Sequence, residues 1–93
     1  MRAGRPFLDW LSEGPDLPAE SLSKQPIIEI YGCRRVLIEN HMGVKAYGRE
    51  KILVGVHDGC VCICGSELEI LHMTKIQLVI GGRISSVTLQ GRE

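Results

Sequence analysis

An apolar residue, any residue, a second apolar residue, any residue and then glycine: the chain contains this phrase five times. The copies are Ile28-x-Ile30-x-Gly32, Val44-x-Ala46-x-Gly48, Val61-x-Ile63-x-Gly65, Leu78-x-Ile80-x-Gly82 and Val87-x-Leu89-x-Gly91, with closing glycines 16, 17, 17 and 9 residues apart. Side chains of a β-strand alternate between faces, so each phrase puts both apolar residues on one side, and the glycine ends or turns the strand. The pattern predicts an all-β domain and contains no catalytic machinery.

Strands are expected at about 27–31, 35–39, 44–47, 51–57, 60–64, 67–71, 75–80 and 83–89. Asp58-Gly59 reads as a two-residue hairpin turn, because both residue types tolerate positive φ. That turn pairs His57 with Cys60, Val56 with Val61, Gly55 with Cys62, Val54 with Ile63 and Leu53 with Cys64. One face then holds Ile52, Val54, Val56, Val61 and Ile63, and the other holds Leu53, Gly55, His57, Cys60, Cys62 and Cys64. A slip of one residue would destroy this separation. Val36 and Ile38 before Asn40-His41-Met42-Gly43, and Val44 and Ala46 after it, read as a second unit of the same kind. Leu68 and Ile70 face one way, and Ile76, Leu78 and Ile80 join them. Ile84 and Val87 differ in parity, so Ser85-Ser86 is expected to host a bulge or a change of sheet. Two architectures fit: about eight short, mostly antiparallel strands in a small sandwich or roll, or a β-solenoid with coils of about 17 residues. The tight turn favours the first, because it reverses the chain.

Residues 1–26 differ in character. Pro6 suits the first position of a short helix whose stripe is Phe7, Leu8, Trp10 and Leu11, and Gly14-Pro15 stops it. Three of the four prolines lie in 15–26, which reads as an extended tether leading to a β domain over 27–93. So short a helix is unstable alone and needs a surface to dock on, with Phe7, Trp10 and Leu11 as the docking side chains. Subtracting the tether leaves 67 of the 93 residues for the sheet. A body of that size is marginal by itself, which points to a partner or to self-association.

Eleven basic and eleven acidic residues cancel, and no clustered positive surface is evident, so nucleic acid is not an expected partner. No apolar run approaches the roughly 20 residues of a membrane span, and the start of the sequence lacks the apolar core of a secretory signal. A cytoplasmic protein is expected, with its four cysteines as free thiols.

Two constellations deserve weighing for chemistry. His57, Cys60, Cys62 and Cys64 project from one hairpin face, and thiolate with imidazole is a zinc ligand set. Alternate residues on a flat strand converge poorly, however, so small side chains on a sheet face are the simpler reading. Glu39 and His41 could in principle exchange a proton. No nucleophile, carboxylate pair or phosphate loop completes a site around them, and a turn role for Asn40 and Gly43 is simpler. The glycines close strands and never open a helix, so they form no nucleotide fingerprint. His72 is most simply a loop histidine. No cofactor and no small-molecule substrate is expected.

The stretch Ile38-Glu39-Asn40-His41-Met42-Gly43-Val44, then Tyr47, Ile52, Gly59-x-Val61-x-Ile63-x-Gly65, Leu68-x-Ile70 and Leu78-x-Ile80-x-Gly82-x-Ile84, resembles the YabP/YqfC family of sporulation proteins. Leu17-Pro18 and the region of Trp10 resemble the YqfC branch. The resemblance spans roughly residues 8–90. It implies a small non-enzymatic protein needed for endospore formation, associated with a membrane-bound sporulation partner of the YqfD type. Glu39, Asn40, His41 and Gly43 match the family's turn motif, and Gly59, Gly65 and Gly82 its strand-ending glycines. The chain departs at Cys60, Cys62 and Cys64, where relatives tend to carry charge, and at Met73-Thr74-Lys75, where they often have an acidic loop.

Overall fold

The computed structural model describes residues 24–91. The expected N-terminal helix and tether, with Phe7, Trp10 and Leu11, lie outside the described residues. The rest is an all-β domain of six strands: β1 (Ile27–Tyr31), β2 (Arg35–Glu39), β3 (Val44–Tyr47), β4 (Lys51–Val56), β5 (Gly59–Met73) and β6 (Gln77–Gly91). They form one antiparallel sheet in the order β1-β2-β6-β5-β4-β3.

The sheet is folded over itself, and the fold runs across β5 and β6. In one half, β1 pairs with β2, β2 pairs with residues 77–81 of β6, and those residues pair with residues 69–73 of β5. In the other half, residues 84–91 of β6 pair with residues 59–65 of β5, followed by β4 and β3. Val36, Ile38, Leu68, Leu78 and Ile80 of the first half share one core with Ile52, Val54, Val56, Val61, Ile63 and Ile84 of the second. The halves therefore face one another in a sandwich-like arrangement whose corners are made by strands that belong to both layers. Among the described residues, β1 and β3 end the order without pairing to each other, so the barrel is not closed.

Six strands replace the expected eight because Gly65 and Gly82 lie inside strands. Each marks a corner. A Cβ on Gly65 would overlap the Arg83 carbonyl oxygen, and one on Gly82, where φ is +134°, would lie 2.5 Å from the Glu67 carbonyl oxygen. Only glycine lets the two backbones approach this closely while they bend. Register shifts cluster there, between Cys64 and Gly65 and between Ser66 and Glu69. Opposite the first shift Ser85 is skipped, since Cys64 pairs with Ser86 and Gly65 with Ile84. The expected bulge at Ser85-Ser86 is therefore present. Each corner is also clamped from its flank: Gly65 N and Leu68 N donate to the carbonyls of Glu50 and Arg49, and Gly82 N and Ile84 N to those of Arg34 and Cys33. The recurring glycine period thus arises from hairpins and corners, and the solenoid alternative is not realised.

The β4–β5 hairpin has the expected faces but a different register. Its turn residues are His57-Asp58, with Val56 opposite Gly59 and Val54 opposite Val61. Asp58 alone takes the left-handed conformation (φ 66°), so the turn closes without Gly59, which stays in the ladder. Each pairing moves by two residues, an even step that keeps the faces intact. Ile52, Val54, Val61 and Ile63 are completely buried and Val56 nearly so. Burying side chains of this kind contributes about 1.5–3 kcal/mol each.

Strands β2 and β3 do not form a hairpin. Residues 40–43 cross from one half to the other, and β3 pairs with β4 alone. A register shift between Val44 and Ala46 turns Ala46 away from the core, where it is exposed, while Val44 packs against it. Ile76 precedes β6 and is exposed, so it does not join Leu78 and Ile80.

Candidate functional site

The four residues of the turn motif meet at the crossover between the halves. Asn40 sits at a left-handed φ of 65°, which its short polar side chain tolerates, and Gly43 follows at φ 108°. Asn40 Nδ2 donates to the Gln25 carbonyl oxygen at 2.9 Å, and its backbone N donates to the Ile76 carbonyl oxygen at 2.8 Å. Glu39 lies opposite Gln77 in the ladder and accepts a 2.9 Å hydrogen bond from its side chain. His41 is buried and bonded at both ring nitrogens. The backbone N–H of Gly43 donates to Nδ1 at 3.0 Å, and Nε2 lies 2.8 Å from the Thr74 carbonyl oxygen. An Nδ1 that accepts must be unprotonated, so the proton is on Nε2 and is donated to Thr74.

The Thr74 hydroxyl oxygen in turn accepts from the backbone N–H groups of Ile76 and Gln77, at 3.2 and 2.9 Å. The crossover, the β5–β6 turn and the entry into β1 are thereby joined by polar contacts. The polar side chains of Glu39, Asn40 and His41 are all engaged in this network. Its long-range partners Gln25, Thr74 and Gln77 carried no signal in the sequence. They lie 15 to 38 residues away, and only the fold brings them near.

The thiols occupy the outer face of the second half. Cys62 Sγ and Cys64 Sγ are 3.7 Å apart, while Cys60 Sγ donates to Gln90 Oε1 at 3.3 Å. All four cysteines are free, with Cys33 exposed in the β1–β2 turn. Burial pushes the Cys62 thiol pKa up, and its hydrogen bond with Cys64 adds to the shift. His57 Nε2 lies 3.4 Å from the Asp58 carboxylate. Among the described residues no three His, Cys, Asp or Glu side chains converge to hold a metal ion, so His57, Cys60 and Cys62 do not form a site together. His72 is paired with Val79 inside β5, not in a loop.

Apolar side chains remain exposed around the rim of the sheet: Ile30 and Tyr31 on β1, Tyr47 on β3, Met42 in the crossover, and Leu89 on β6. The Tyr31 hydroxyl donates to Glu29 Oε1 at 2.7 Å, and that carboxylate holds the phenol proton and raises its pKa. Among the described residues no helix is long and apolar enough to cross a membrane.

The domain is a two-layer β-sheet whose motif side chains are engaged in holding its own crossover. Residues 23–93 match the YabP family, and the chain belongs to this family of sporulation proteins. Proteins of the family are non-catalytic and serve structural or adaptor roles. No curated protein and no solved structure matches the sequence.

Proposed function

We propose that this chain belongs to the YqfC branch and acts in the cytoplasm of the sporulating cell as an adaptor for a membrane-bound sporulation protein of the YqfD type. Membership of the YabP family supports the setting. The observation that carries the binding role is the open rim of the sheet. Among the described residues, β1 and β3 end the strand order and pair on one side only, and Ile30, Tyr31 and Tyr47 stand exposed on them. Unpaired strand edges are ready templates for another chain. The N-terminal segment 1–26 supplies a second element, with Phe7, Trp10 and Leu11 as its anchors and 15–26 as the tether.

The test is affinity purification of the tagged full-length chain from sporulating cells, probed for the YqfD-type membrane protein, with Trp10→Ala alongside. The expected result is recovery of that protein with the wild type and its loss with Trp10→Ala, whose sheet stays folded. Constitutive vegetative expression, with normal spore yield in a deletion strain, would sink the reading.

A second reading is favoured by the same edges. Pairing of β1 with β3 of another copy would give a self-assembling structural protein. A monomeric mass by light scattering at high concentration counts against it.

A further inference from the structure

We propose that Cys62 and Cys64 form one half of a zinc tetrathiolate site, completed by the same two thiols of a second copy of this chain. The geometry of the pair is the starting point. Zinc–thiolate bonds of about 2.3 Å in tetrahedral geometry place neighbouring sulfurs about 3.8 Å apart. Cys62 Sγ and Cys64 Sγ are 3.7 Å apart, so they already occupy one edge of such a tetrahedron.

The opposite edge must come from elsewhere. No third ligand converges among the described residues, Cys60 turns its thiol to Gln90, and Cys33 lies on the far side of β6, next to Ile84. Residues 1–23 contain neither cysteine nor histidine. Another copy of the pair supplies two thiolates at the required spacing through a twofold axis, where each patch meets itself.

The surroundings suit that approach. In the ladder Cys62 is flanked by Leu53 and Thr88, and Cys64 by Lys51 and Ser86, with Gly55 and Gln90 one step further along at Cys60. These outward positions of β4, β5 and β6 carry no carboxylate, so hard oxygen ligands do not compete for the ion. Gly55, Ser86 and Thr88 are the small positions of this face, and Leu53, Lys51 and Gln90 the longer ones. Cys62 is nearly covered in the single chain, and Cys64, half-buried beside it, is the point of entry.

Charge also balances. One zinc ion and four thiols give a tetrathiolate of net charge −2 and release four protons to water. Lys51, directly across from Cys64 in the ladder, brings one positive charge from each copy and offsets it.

The experiment is titration of the reduced full-length chain with zinc chloride, following bound metal and mass by light scattering, and repeated with cobalt to read ligand geometry. The expected result is one metal per two chains, a twofold rise in mass reversed by EDTA, and the visible absorption of tetrahedral cobalt tetrathiolate. Cys64→Ser and Cys62→Ala should each abolish uptake and doubling, while Cys33→Ser and Cys60→Ser keep both. One metal per chain without doubling, doubling that survives Cys64→Ser, loss of uptake in Cys60→Ser, or no uptake by the wild type would each overturn the proposal. The wild-type stoichiometry and cobalt spectrum decide the matter even where a variant folds poorly.

Discussion

His41 Nε2 donates to the Thr74 carbonyl oxygen at 2.8 Å, across 33 residues of chain, and so fastens the crossover between the two halves to the turn of the longest hairpin. The ring is buried, and its other nitrogen holds Gly43. Removing it strands a donor and an acceptor at once. His41→Ala should cost about 2–3 kcal/mol of stability in urea denaturation. His41→Asn keeps an acceptor for the Gly43 N–H and should recover part of the loss. A cost below about 0.5 kcal/mol for His41→Ala would mean that the contact does not hold the corner.

Gly65 and Gly91 end two copies of the same sequence phrase, yet they should respond oppositely to alanine. At Gly65 the added methyl meets the Arg83 backbone, whereas at Gly91 nothing lies within 4 Å. Gly65→Ala is expected to lose about 3 kcal/mol or more, and Gly91→Ala to stay within about 0.5 kcal/mol. Thermal melts of the two variants side by side provide the measurement.

Glu67 bends through the same corner at φ 54°, a conformation that costs a residue with a side chain about 1 kcal/mol. Its side chain is exposed, so little packing is lost on truncation. Glu67→Gly should therefore be neutral or stabilise by up to about 1 kcal/mol, while Glu67→Val should destabilise. A clear loss of stability in Glu67→Gly would show that the carboxylate matters more than the backbone.

These sites show where the sequence was readable. Alternation in Ile52–Val56 and Val61–Ile63 reported the core face directly, because both strands lie under one layer of core along their length. Gly65 and Gly82 were read as strand ends, since a glycine that stops a strand and one that lets it bend look alike without knowledge of what crosses it. The crossover at 40–43 is flanked by alternating segments on both sides, which is equally the pattern of a hairpin. Which strand pairs with which depends on β6 entering between β2 and β5, a long-range event with no local signature. The motif residues stood out as a group through family resemblance, but the contacts of Glu39, Asn40 and His41 are made with residues that only folding brings near.

Burial of Cys62 gives stability a defined dependence on pH. Its thiol keeps its proton to a higher pH in the folded chain than in the unfolded one. Above the ordinary thiol range the unfolded state therefore releases that proton first, and stability falls as pH rises. The fall between about pH 8 and pH 10 should be smaller in Cys62→Ala than in the wild type, measured by urea denaturation in metal-free buffer. In the same buffer iodoacetamide should label exposed Cys33 first and Cys62 last, as read by mass spectrometry after digestion. Labelling of Cys62 ahead of Cys33 would contradict the burial.

The long hairpin of β5 and β6 has a consequence for how the chain is made. Val36, Ile38, Ile52 and Val54 belong to strands that emerge early in synthesis, but the core they join also contains Val61, Ile63, Leu68, Leu78, Ile80 and Ile84. That core is incomplete until Ile84 has been made, so the ribosome releases these strands with apolar faces only partly covered for as long as that takes. Chaperone demand should be concentrated in that interval, and a chain stalled before Ile84 should aggregate instead of waiting as a folded fragment.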